Sequence, residues 1–93
     1  GFGMVLQDLT PATAGRLGVP NDTEGAVVVN VQRGSTAEES DVRPGDVILS
    51  VNRSDVSSAT EATTQLNQIE SGRTAFLLVQ REETRVFLQV RKE

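Results

Sequence analysis

Apolar residues alternate with polar ones in several stretches of this chain and recur every three or four residues in others. Gly3 to Gln7 reads as a short extended run. In GAVVVNV, residues 25–31, Val27, Val29 and Val31 alternate with Val28 and Asn30, the period of a β-strand. RPGDVILSVN, residues 43–52, is a proline–glycine turn entering a β-branched strand, and Asn52 to Asp55 is polar and turn-like. Two last strands, over 74–81 and 84–91, form a hairpin about Glu82-Glu83. Acidic residues are poor formers of a two-residue turn, so a longer loop is expected there.

Three helices are signalled by their ends. Thr10 is an N-cap and Pro11 sits at the first helical position, where its missing N–H costs nothing; this helix covers 11–17 and ends at Gly18. Gly34 turns the chain, Ser35 caps, and Thr36 to Ser40 make one or two helical turns. Ser58 and Glu61 form an S-x-x-E capping box. The helix it opens carries Ala59, Ala62, Leu66 and Ile69 on one face and stops before Gly72. The mixed order of strands and helices predicts an α+β domain: a small, partly open β-barrel or sandwich of five to six strands, capped by one longer helix and one or two short ones.

Ninety-three residues make one domain, 1–93. The chain opens on a strand-like segment, so it is expected to be a domain excised from a larger protein, with any targeting signal outside it. Without cysteine there is no disulfide or thiolate metal site; without histidine there is no Ser-His-Asp triad and no imidazole ligand. No cofactor or metal is expected. Thirteen acidic against nine basic residues, net charge −4, argue against a nucleic-acid partner. The longest apolar run, Ala75 to Val79, is too short to insert in a membrane.

Catalytic chemistry finds little support. The serines lack a histidine, and Ser-Lys chemistry would need Lys92, the only lysine, at a chain end expected to fray. The pairs Glu38-Glu39 and Glu82-Glu83 read as solvated surface. Asp46, after Pro44-Gly45, is expected to hydrogen-bond loop amides.

Binding is better supported. The chain begins GFGMVLQ. Successive N–H groups in a glycine-bearing turn can converge on an anion, and Phe2-Gly3-Met4 could form such a nest. Met4 to Gln7 would then be an edge strand to which a peptide adds. A Cβ at Gly3 would crowd the approaching carboxylate. A frayed, glycine-rich strand start explains the same residues.

The whole chain resembles a PDZ domain, of the kind found in the bacterial HtrA/Deg (Do-like) serine proteases. GFGM, residues 1–4, is similar to the family's carboxylate-binding loop X-Φ-G-Φ. GAVVVNVQRGSTAEESDVRPGDVILSVN is similar to its G-x-V-V-x-x-V-x-x-G-S-x-A…G-D-V-I-x-x-V-N block, the most specific part of the match. SSATEATTQLNQIESGRTAFLLVQR resembles its groove helix and following strand, and the order of elements is similar to the circularly permuted bacterial arrangement.

The resemblance implies a module that binds hydrophobic C-termini or extended segments by strand addition, serving substrate recognition or regulation in a periplasmic serine endopeptidase. Partners would be peptides or unfolded proteins, and other domains or subunits of the parent protease. Amides of Phe2, Gly3 and Met4 would hold the terminal carboxylate, and Met4, Val5 and Leu6 would pair with the peptide backbone. Ala62, Thr63 and Leu66 would form the other wall, with Ile69 and Ala59 left to core packing. Many animal PDZ domains carry a histidine at the start of this helix that hydrogen-bonds a ligand hydroxyl; its absence disfavours selection of Ser or Thr two residues before the terminus. Alternatives are a structural or oligomerisation module whose groove is filled by neighbouring segments, and the PDZ domains of tail-specific or intramembrane proteases.

Overall fold

The computed structural model describes residues 2–93. In chain order the elements are β1 (Met4–Asp8), α1 (Pro11–Leu17), β2 (Ala26–Val31), α2 (Thr36–Glu39), β3 (Val47–Val51), β4 (Ser54–Asp55), α3 (Ala59–Asn67), β5 (Thr74–Arg81) and β6 (Thr84–Arg91). The strands form an antiparallel sheet in the order β1-β2-β3-β5-β6, with β4 paired to β3. β1 and β6 are therefore the edges, and the sheet is an open one.

The capping signals act as their side-chain chemistry requires. Thr10 Oγ1 accepts from the Thr13 N–H, Ser35 Oγ from Glu38 and Ser58 Oγ from Glu61, at 3.1–3.2 Å. Each satisfies an amide that has no partner within its own helix. Gly18 closes α1 in the left-handed region, φ +72°. The Ser58 capping box is displaced by one residue, because Glu61 reaches back to the N–H and hydroxyl of Ser57.

Alternation on β2 and β3 divides the core in two. Val27 and Val47 meet Ala14 and Val19 beneath α1. Ala26, Val28 and Ile48 face the other way, into the larger cluster that holds Ala62 and Leu66 of α3 and Leu77, Val79 and Val90 of the final hairpin. Covering both faces is why three successive residues of β2, Ala26 to Val28, are buried. Each large buried aliphatic side chain contributes roughly 1.5–3 kcal/mol.

Three expectations need correction. The β5–β6 connection is a two-residue turn, with Arg81 opposite Thr84. Glu82 is tolerated there at φ +56° because its carbonyl accepts a 2.6 Å bond from the buried Gln80 side chain. Asn52-Arg53 is the expected turn, with φ +50° and +70°, but Ser54-Asp55 beyond it form a short strand, β4, paired with β3, rather than more turn. The third helix ends at Asn67 with Gln68 as its cap, leaving Ile69 in the turn beyond.

Asp46 does more than hydrogen-bond loop amides. It is 2% exposed and accepts from the Arg43 N–H at 3.0 Å, while Arg81 grips both its oxygens, Nε at 2.9 Å and Nη2 at 2.8 Å. That hydrogen bond raises Arg81 above the ordinary arginine value. The pair ties the turn before β3 to the end of β5.

Candidate functional site

The free edge of β1 faces α3, and the two run in opposite directions. At one end Asp8 Oδ1 accepts a 2.7 Å bond from the Ala59 N–H, the first amide of the helix. At the other, Lys92 binds the last carbonyls of α3 and lies 5.9 Å from the centre of the Phe2 ring. Met4 and Leu6 turn toward the core that contains Leu66, while Val5, 51% exposed, points to the opposite face. β2 carries an extra residue, Val29, where Val5 and Leu6 pair with Asn30 and Val28. A bulge of this kind twists the edge strand.

The glycine loop is fixed by its carbonyls. The Ala37 N–H donates to the Phe2 carbonyl at 3.2 Å, and the Gln32 N–H to the Gly3 carbonyl at 2.7 Å. In a trans peptide the N–H points opposite to the carbonyl, and the described residues contain no cis bond. The Gly3 and Met4 amides therefore point away from α2 and β2, toward the open edge. Gly1, the first residue of the loop motif, lies outside the described residues.

Gly3 is required by the fold itself. Its φ is +85°, and a Cβ would overlap the Ser35 side chain, 2.7 Å from Oγ. The expected crowding thus comes first from the protein's own α2 cap.

The structure brings Phe2, Gly3, Met4, Leu6 and Leu66 together at the groove. Phe2 offers only backbone there, since its ring is buried. Leu66 is 6% exposed and presents a rim; Ala62 is fully buried behind it; Thr63 is exposed on the same helix. Several surface cavities lie elsewhere. One of about 550 Å³ is lined by Leu49, Val56, Glu61 and Leu78, and another of about 550 Å³ by Ser50, Asn52, Phe76 and Phe87. A smaller one, about 240 Å³, sits behind the loop between Gly3, Arg33, Ser35 and Glu93.

Lys92 was missed. It is not frayed: its N–H donates to the Arg73 carbonyl and its own carbonyl accepts from Gly72, both at 2.8 Å. Its Nζ donates to the carbonyls of Ile69 at 2.6 Å, Leu66 at 3.1 Å and Asn67 at 3.4 Å, which uses all three ammonium donors and leaves none for a serine. Glu93 beside it accepts from the Thr36 N–H at 3.1 Å. Nothing in the sequence signals these contacts, because the partners are 23 to 57 residues away.

An open antiparallel sheet, an edge strand entered through a glycine loop, and a helix laid along that strand define a PDZ domain. A PDZ domain family model matches residues 1–91, and the chain belongs to that family. Two curated relatives share the name "Probable periplasmic serine endoprotease DegP-like". That of Chlamydia muridarum is 38% identical over 95 residues, covering 99% of this chain and 18% of the relative. That of Chlamydia pneumoniae is 46% identical over 56 residues, covering 60% of this chain and 12% of the relative. The chain thus spans less than a fifth of these relatives. Among solved structures, the HtrA-type protease AlgW with decapeptide matches with a TM-score of 0.87 and 30% identity, over 98% of this chain and 28% of that one. The HtrA3 PDZ domain bound to a phage-derived ligand (FGRWV) matches in fold, with a TM-score of 0.83 and 22% identity over 100% of this chain and 84% of that one.

Proposed function

We propose that this chain is the peptide-recognition or regulatory domain of a periplasmic HtrA-like serine endopeptidase, and that the groove between β1 and α3 binds hydrophobic C-termini or extended segments. The observation that carries this reading is the free edge of β1 beside α3, with the Gly3 and Met4 amides aimed at it. An incoming peptide adds antiparallel to Met4, Val5 and Leu6. Its carboxylate sits on the amides of Phe2, Gly3 and Met4. Its last side chain packs on Leu66 with Thr63 alongside and Ala62 behind. The HtrA-type structures with a decapeptide and with FGRWV support the reading by analogy.

One buried apolar side chain contributes roughly 1.5–3 kcal/mol, and each net backbone hydrogen bond about 1 kcal/mol. After association costs, a dissociation constant on the order of micromolar or weaker is expected. A library of free C-terminal peptides, screened beside amidated copies, tests this. Selection of hydrophobic termini, lost in Leu66→Glu under conditions where circular dichroism shows that variant folded, is the expected result. Normal binding by Leu66→Glu, or selection that ignores the terminus, would refute it.

A further inference from the structure

We infer that Lys92 is the charge-compensating residue that lets this groove accept a free carboxylate, an inference that rests on the groove reading above. The loop end of the groove lies at the C-terminal end of α3. That end is the negative pole of the helix, where unpaired carbonyls concentrate partial negative charge. A ligand whose carboxylate docks on the Gly3 and Met4 amides therefore places its anion beside a region that repels it. Lys92 links that helix end to the loop residue Phe2. Its Nζ takes up the carbonyls of Leu66, Asn67 and Ile69 and stands 5.9 Å from the centre of the Phe2 ring, in the loop that holds the candidate nest.

The consequence is specific to charge. With its donors spent on carbonyls, Lys92 does not hydrogen-bond the ligand; it acts through space and by cancelling the helix pole. Its removal should weaken binding of a carboxylate and leave binding of the neutral amide nearly unchanged. A role confined to holding α3 in place would weaken both alike. For a partly buried unit charge at the loop end of the groove, the preference for acid over amide is expected to change roughly three- to tenfold.

The test measures dissociation constants of the peptide FGRWV, with free and amidated C-terminus, for this chain and for Lys92→Gln and Lys92→Arg. Gln keeps hydrogen-bond donors for the carbonyls and removes the charge; Arg keeps both. The expected result is an acid-over-amide preference that falls in Lys92→Gln and is restored in Lys92→Arg. A second arm leaves the chain unaltered and so does not depend on the variants folding. The preference should shrink as salt rises to about 1 M, where the Debye length is about 3 Å, while amide affinity holds. A preference that survives both Lys92→Gln and high salt overturns the role of Lys92 and leaves the groove reading standing. Equal affinity of the unaltered chain for acid and amide overturns the carboxylate nest itself. Absence of binding by both forms at millimolar peptide overturns both readings.

Discussion

Replacing Gly3 by alanine should unfold this domain more readily before it says anything about ligand. Two costs add. A left-handed φ costs an L-residue roughly 1–2 kcal/mol, and forcing a methyl into a filled space costs typically about 1–3 kcal/mol. The methyl meets the buried Ser35, whose Oγ caps α2, and Ser35 cannot retreat without loosening its 3.2 Å bond to the Glu38 amide. The total is about 2–5 kcal/mol, a large part of the roughly 5–15 kcal/mol that stabilises a domain of this size. With about 4–8 °C lost per kcal/mol, the melting temperature should fall by roughly 10–40 °C. Thermal unfolding followed by circular dichroism measures it. A fall of less than about 3 °C would show that the loop relaxes around a side chain, and that the glycine is not demanded by the α2 contact. A loss of peptide binding in Gly3→Val is therefore interpretable only at temperatures where the variant is folded.

Asp46→Ala should cost roughly 2–4 kcal/mol in urea unfolding, discounted from the fully buried case because Arg81 keeps some solvent; the double variant with Arg81→Ala should cost less than the sum of the singles, and strict additivity would refute the coupling. Asp41 should titrate below the ordinary aspartate range, chiefly through its hydrogen bond to Arg43, with Arg81 adding attraction. A folded-state value below the unfolded one makes its contribution to stability present above about pH 4 and lost as pH falls through the folded value. Carboxyl NMR reads this directly, and a normal value, or one that Arg43→Ala leaves in place, refutes it.

The sequence made local structure legible wherever the chemistry is local. Thr10-Pro11, Ser35 and Ser58 announce helix starts because each hydroxyl serves an amide three residues on. The β2 and β3 patterns announce strands, and the GFGM start announces a loop. What remained hidden depends on residues distant in sequence. Asp46 meets Arg81 across 35 positions, and Lys92 meets α3 across more than 20. The approach of a carboxylate is an incomplete reason for Gly3, since the side chain a Cβ there must avoid belongs to Ser35. Glu82 looked unfit for a tight turn until the Gln80 amide was found supporting it.

β1 has a strand neighbour on one side only, whereas β5 is paired on both. Native-state hydrogen exchange follows such differences: edges open by small fluctuations, and doubly paired strands exchange through larger ones. The peptide edge is thus expected to be among the most labile parts of the sheet. A peptide added to it supplies the missing neighbour and draws the local equilibrium toward the closed form, by about 2.7 kcal/mol at a hundredfold excess over the dissociation constant. Occupancy would then register as slowed exchange along Met4 to Asp8 and in the loop bonded to Gln32 and Ala37. Because that loop is bonded to α2, and α2 to Glu93 just beyond β6, the stiffening has a path from one sheet edge to the end of the other without any helix changing place.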